Sequence, residues 1–509
     1  NDGIDNDGNG QIDCADSFCN FAANIEKGCR CFDGIDNDGD GLIDKADPNC
    51  ASYYGLAFVG EGSNCSITPP GTATPFAFVG PPAVSGQNTA DTQSKVSVGD
   101  VDGDGIPDVV ITSKWNSQIR VVATSNGQAD GSNAGDIKAD FKTTGQGAKI
   151  FSGTGGCNPK NLLYEHENLI ADIDKDGKAE LFGIVSNRSG NPSSPPTCFF
   201  LVGFRYAPGT LVPLYDAVQI GTDRPGIIGI ADMDGDGKAE IYLRDRIYAA
   251  ETGKLLATGS GSWDVDVSSG TVAVNITGDN KMELVVGTKI YGIPSLTNRN
   301  PAAPAALTLI QDMNLLSADK CFVKLANDPI EYGVDTHSAT SVADVDGDGF
   351  LDVVISGALN SNIGKTAVFY WNVTKGTVSY FLPPDPTYIN GWPWGTGRVN
   401  LGDANGDGKI DLSFVAGSQL FCLTTDGAGT GLVPLWATPR TINDSRSGVV
   451  AVSIYDFDND GKPEMVYRDS QELVIIDGAT GQNKLWSTIC QSHTYTEGPV
   501  IADVNGDGA

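Results

Sequence analysis

The stretch Asp232-Met-Asp234-Gly-Asp236-Gly-Lys-Ala-Glu240 sets oxygen-bearing side chains at positions 1, 3, 5 and 9. It puts glycine at position 6 and runs straight into the apolar Ile-Tyr-Leu243. Carboxylates this close together repel one another unless a cation sits among them, and the glycine permits the sharp turn that gathers them. The same spacing starts at Asp100, Asp172, Asp344, Asp403 and Asp456. A degenerate copy starts at Asn275, one at Asp503 stops before position 9, and two more start at Asp5 and Asp36. A single loop of this kind also reads as an acidic surface turn that binds nothing. Ten in one chain, most leading into an apolar run, restrict it to a repeated loop-then-strand unit. The cation such oxygens suit is Ca²⁺, a hard ion that takes six to eight of them.

The candidate Ca²⁺ ligands follow from the spacing. In the long central and C-terminal part they are Asp100, Asp102, Asp104 and Asp108, then Asp172, Asp174, Asp176 and Glu180, then Asp232, Asp234, Asp236 and Glu240. Asp344, Asp346, Asp348 and Asp352 form the next set, followed by Asp403, Asn405, Asp407 and Asp411, and by Asp456, Asp458, Asp460 and Glu464. The last copy offers Asp503, Asn505 and Asp507. Near the N-terminus stand Asp5, Asp7, Asn9, Asp13 and Asp16, and Asp36, Asp38, Asp40, Asp44 and Asp47. In the Asn275 copy Thr277 replaces an acid and Asn280 the glycine, so that copy reads equally as a weakened metal site and as a turn that binds nothing.

Net charge is −31, and about half of the 64 acidic residues lie in these loops. Calcium loading accounts for so acidic a chain better than solubility alone. A nucleic-acid partner is excluded, since no basic stripe is present. No apolar run approaches the roughly 20 residues of a membrane span. Eleven cysteines, at spacings unlike a zinc site, point to an oxidising compartment outside the cell.

Residues 1–50 read as two small tandem modules. Superposing the second copy on the first matches Cys50 with Cys19 and Cys31 with the position before Asn1. That predicts a Cys31–Cys50 disulfide and a lost cysteine upstream, which would explain the odd count. These modules resemble thrombospondin type 3 calcium repeats, which implies a segment held by Ca²⁺ and disulfides with little apolar core. Residues 51–94, rich in proline and glycine, read as a linker or ring-closing strands.

From residue 95 to 509 loop starts recur every 43 to 72 residues. Each unit offers a short strand, the loop, a second strand, a turn, a third strand and a fourth. Lys95–Val98, Asp108–Thr112 and Ile119–Val122 illustrate the first three. Four antiparallel strands per repeat make an all-β propeller of seven or eight blades. An EF-hand or dockerin is excluded, because β-branched runs stand where a helix should follow the loop. The pattern Val-Ala-Asp344-Val-Asp-Gly-Asp-Gly-Phe-Leu-Asp352-Val-Val-Ile resembles the FG-GAP or VCBS repeat of integrin α-subunits and secreted bacterial proteins. The resemblance implies that the loop joins the first two strands of each blade and that positions 1, 3, 5 and 9 ligate Ca²⁺. It says little about function, because the fold hosts many.

No catalytic motif stands out. His166, His337 and His493 precede calcium loops and read mainly as strand-start residues. The aromatic pair in Asn390-Gly-Trp392-Pro-Trp394-Gly reads as packing, or as a platform for a sugar ring. Asp477-Gly-Ala-Thr-Gly481 reads as a blade turn, although it resembles a tryptophan-docking motif. Asn-x-Ser/Thr triplets start at Asn64, Asn187, Asn372 and Asn443. The first expectation is therefore a secreted or cell-surface binding or adhesion protein, or a subunit of an extracellular filament. Its partner would be a surface glycan, a protein or copies of itself. The alternative is a calcium-dependent polysaccharide lyase using His337, Tyr332 and Arg398, and a third reading is a spacer without a ligand.

Overall fold

The computed structural model describes residues 95–501 with interruptions, chiefly 125–131, 143–161, 188–197, 260–269, 314–322, 325–330, 333–338, 385–397, 444–451 and 490–498. The modules expected at 1–50, the Cys31–Cys50 disulfide and the connection at 51–94 lie outside the described residues. So do Asp458, Asp503, Asn505, Asp507, the three histidines, Trp392 and Trp394.

The described strands build seven blades, each of four antiparallel strand positions in chain order. Blade 1 is Lys95–Gly99, Asp108–Ser113, Gln118–Val122 and Ile137–Lys142. Blade 2 centres on Leu169–Ala171, Glu180–Asn187 and Phe199–Ala207, with its outer position shared by Thr210–Pro213 and Val218–Gly221. Blade 3 is Ile228–Ala231, Glu240–Leu243, Arg246–Ala249 and Leu255–Thr258. Blade 4 is Thr271–Val274, Glu283–Val286, Lys289–Gly292 and Thr308–Asp312. Blade 5 is Ala339–Ala343, Asp352–Leu359, Lys365–Asn372 and Thr377–Phe381. Blade 6 is Asn400–Gly402, Asp411–Ala416, Gln419–Thr425 and Leu432–Pro434. Blade 7 is Val452–Tyr455, Glu464–Arg468, Glu472–Asp477 and Lys484–Ile489. Of the seven or eight blades expected, the described residues form seven.

The core lies between blades. Within blade 2, Leu181, Val185, Phe200, Val202 and Phe204 pack against blade 1, while Phe182, Ile184, Phe199 and Leu201 pack against blade 3. Neighbouring strand residues point to opposite faces, and here both faces are covered, so the strand reads as an unbroken apolar run. Blades 3 and 4, 4 and 5, 5 and 6, and 6 and 7 each share such a layer. Cys422 sits in the last of these layers as a buried free thiol, which by itself accounts for an odd cysteine count without a lost cysteine upstream.

The first strands of successive blades are neighbours around the ring. Serine hydroxyls fix their register. Ser97 donates to Asn168 O at 2.9 Å and Ser341 to Val399 O at 2.7 Å, each acceptor standing just before the next blade's first strand. Ser453 of blade 7 makes the equivalent bond to Pro499 O at 2.8 Å.

Candidate metal centres in the blade loops

Each loop sits between the first and second strands of its blade and leads into a strand, with no helix after it. The glycine at position 6 has φ of +80° to +87° in the six complete copies, the left-handed turn the sequence calls for. Its N–H donates to the position-1 carboxylate at 2.7–2.9 Å in all six.

Position 9 is not a loop residue. It opens the second strand of every blade, and Asp108, Glu180, Glu240, Glu283, Asp352, Asp411 and Glu464 are all buried, 0 to 8% exposed. In all seven blades one carboxylate oxygen accepts the backbone N–H of position 2, at 2.8–3.2 Å. That bond spans seven residues and closes the loop. Burial pushes Asp108 and Asp411 up to about 6, and Glu240 and Asp352 up to about 7; Glu180 is raised for the same reason.

With one oxygen tied to the backbone, the position-9 acid has a second to satisfy. Three acids approach so that their oxygens lie within 4.8 Å of one another in Asp100/Asp102/Asp108, Asp172/Asp174/Glu180, Asp232/Asp234/Glu240 and Asp344/Asp346/Asp348. Two unit charges at such a spacing repel by about 3 kcal/mol at an effective dielectric constant of about 20. The blades answer this repulsion in different ways.

In blade 1, Lys138 on the outer strand sends its ammonium into the loop, 2.6 Å from Asp102, 3.1 Å from Asp108 and 3.5 Å from Asp104. The lysine side chain is 0% exposed. Burial alone would lower its pKa, but the Asp102 and Asp108 carboxylates reverse this and hold it charged. In blade 3, Arg299 arrives from the connection of blade 4. It binds Glu240, forks onto Glu251 at 2.8 and 2.7 Å, and donates to Ala239 O at 2.8 Å. Its side chain is 11% exposed. In blade 2, Arg205 meets Asp174 and Glu180 from a side chain 46% exposed. In blade 5, Lys375, 40% exposed, pairs with Asp346 and Asp348. There Tyr370 OH also donates to Asp352 at 3.2 Å, and Asn372 Nδ2 to Asp346 at 3.0 Å.

Blade 4 carries the degenerate copy and satisfies Glu283 internally, through the Thr277 hydroxyl at 3.2 Å and two backbone N–H groups. Blade 6 differs again. Asp411 Oδ2 accepts Ala404 N–H at 3.0 Å, while Oδ1 is buried without a hydrogen-bond partner, as Asp102 Oδ1 is in blade 1 and Asp234 Oδ1 in blade 3. Among the described residues no basic side chain forms a salt bridge with Asp403, Asp407 or Asp411. An all-oxygen donor set with an orphaned buried oxygen suits a hard divalent cation.

The basic groups were missed in the sequence because they lie far along the chain from the acids they meet. The sequence signal was a charged residue within a strand, as in Asp136-Ile-Lys138-Ala-Asp140-Phe. Asn372 is fully buried and its Oδ1 accepts Lys375 N–H at 2.8 Å, so its triplet serves the fold. Of the residues a lyase would need, His337 lies outside the described residues and only the backbone of Tyr332 is described. Arg398 stands exposed before the first strand of blade 6.

The FG-GAP repeat family matches residues 93–133, and the FG-GAP-like repeat family matches residues 344–414. These are the first three strands of blade 1 with its loop, and the span from the blade 5 loop into blade 6. No curated protein sequence matches the chain. Among solved structures, the biofilm matrix protein Bap1 of V. cholerae is similar at 15% identity and a TM-score of 0.45, over 82% of this chain and 83% of that one. The periplasmic gluconolactonase PpgL of Pseudomonas aeruginosa is similar at 14% and 0.39, over 78% and 97%. A rhamnogalacturonan lyase of Bacillus licheniformis is similar at 18% and 0.29, over 74% and 59%. At these identities and TM-scores the likenesses carry no information about ligand or activity.

Proposed function

We propose that this chain is a calcium-stabilised β-propeller that works as a binding or adhesion module outside the cell, its loops acting as clamps on the first hairpin of a blade. The observation that supports calcium most directly is the blade 6 loop, where Asp411 keeps a buried oxygen with no hydrogen-bond partner and, among the described residues, no basic side chain forms a salt bridge with Asp403, Asp407 or Asp411. Asp403, Asn405, Asp407 and Asp411 would hold the ion there, with Asp456, Asp460 and Glu464 doing the same in blade 7. The ion would supply charge neutralisation only. Because the position-9 acid is buried and tied to backbone, the ion serves the hairpin and not a reacting substrate. An ion that binds only the folded state stabilises it by mass action. Extracellular modules bind calcium at roughly 10⁻⁴–10⁻³ M, which matches an extracellular setting.

Thermal unfolding in millimolar calcium and in EGTA tests the clamp, and a glycan array with a cell pull-down tests the partner. A rise in melting temperature with calcium and a calcium-dependent glycan or protein hit support the reading. An unchanged melting temperature retires the calcium clamp. A stable calcium-loaded chain that captures nothing makes it a spacer. Unsaturated products from pectic polysaccharides would make it a lyase.

A further inference from the structure

We infer that the loops of blades 1 and 3 carry their own cation, Lys138 and Arg299, and take no metal ion. This rests on the reading that loops lacking such a group bind calcium. The Lys138 ammonium is 2.6 Å from Asp102, 3.1 Å from Asp108 and 3.5 Å from Asp104, within reach of three of the four acids that would ligate an ion. A calcium ion needs its oxygens at about 2.3–2.6 Å around one point, so ion and ammonium compete for the same place.

The lysine is not free to withdraw. It lies in the paired strand Ile137–Lys142, and its backbone carbonyl accepts the Gly209 N–H of blade 2 at 2.9 Å. Its side chain is fully enclosed, so expelling the charge means opening the blade. Arg299 is fixed as firmly. Two of its guanidinium nitrogens fork onto Glu251, another reaches Glu240, and Leu296 N–H of the same segment donates to Asp234. A planar fork satisfied on several sides has little reason to leave. Arg205 and Lys375 are nearly half exposed, and each has open solvent to swing into when an ion arrives. The loops thus divide into sealed ones in blades 1 and 3, gated ones in blades 2 and 5, and an open one in blade 6.

Counting bound Ca²⁺ per chain by equilibrium dialysis and elemental analysis tests this. Asp102→Asn should leave the wild-type count unchanged, whereas Lys138→Met and Arg299→Met should each bind one ion more than wild type. Calcium should also raise the melting temperature of Lys138→Met by more than that of wild type. A count one lower in Asp102→Asn overturns the inference, as does an unchanged count in Lys138→Met. Should Lys138→Met fail to fold, Asp102→Asn decides alone in an otherwise native chain. The calcium reading has its own control, Asp411→Asn, which should lose one ion. If Asp411→Asn loses none but Lys138→Met gains one, the calcium reading of blade 6 fails and the inference stands.

Discussion

Trp436 of blade 6 donates its indole N–H to the carbonyl of Gly478 on blade 7 at 2.9 Å. The ring lies against the turn Asp477–Gly481, where a Cβ added at Gly481 would come within 2.5 Å of it. The same place in blade 3, Gly253, faces Tyr215 of blade 2, with an added Cβ 2.8 Å from that ring. The turn that resembles a tryptophan-docking motif is therefore a joint between blades.

Trp436→Ala should cost about 3–5 kcal/mol of stability, through lost packing and a stranded carbonyl. Gly481→Ala should also destabilise, because its φ of +67° disfavours a side chain and the ring leaves no space. Denaturant unfolding of both variants checks this. Wild-type stability in either would show that the contact contributes nothing.

Asp411→Asn should change sign with calcium. In EGTA it removes a buried negative charge while its side-chain oxygen still accepts Ala404 N–H, so stability should hold or rise. In saturating calcium it removes a charged ligand, and stability should fall below wild type by about 1–3 kcal/mol. Paired melting curves in the two buffers decide it.

The metal-free protein should lose stability as pH rises. Asp108 and Asp411 stand near 6 against an ordinary 3.8, Asp352 near 7 against 3.8, and Glu240 near 7 against 4.5. A carboxyl raised on folding binds its proton more tightly in the native state. Its contribution is complete below about pH 4 and is lost as pH passes through 6 to 7. Melting temperature in EGTA should fall between pH 5 and pH 8. Calcium, which needs ionised ligands, should flatten or reverse that slope. A rising melting temperature in EGTA over this range would contradict the burial of these acids.

Asn372 should carry no glycan when the protein is made in a glycosylating host, because the amide is buried against Asp346 and Tyr370. Asn372→Ala should destabilise by about 1–3 kcal/mol by leaving buried polar groups unpaired. Peptide mass spectrometry and unfolding curves measure the two effects.

The blade unit was legible because its signals are local. Gly105, Gly177 and Gly237 announce the turn, and the run from Asp352 to Ile355 announces a strand covered on both sides. The loop's place between the first two strands followed from the same spacing. What the sequence hid depends on folding. Nothing near Asp108 says that Lys138 will reach it, and nothing near Glu240 points to Arg299 in the next blade. Position 9 looked like one ligand among four. Its burial and its bond back to position 2 emerge only once the strand it begins is sandwiched between neighbours.

Loops of neighbouring blades also touch. A Cβ at Gly103, position 4 of the blade 1 loop, would fall 2.4 Å from Gly177 O, position 6 of the blade 2 loop. Gly406 stands in the same relation to Gly461 O, at 2.1 Å, between blades 6 and 7. Gly235 and Gly347, at position 4 in blades 3 and 5, meet nothing. The repeat that can be cut from the sequence is therefore not interchangeable in the ring. A blade transplanted from position 3 to position 1 would bring a glycine that fits, but a blade 2 copy placed there would bring Lys175 into a seat with no room for a side chain. Duplication and shuffling of such units are limited at their seams, where the order of the blades is written.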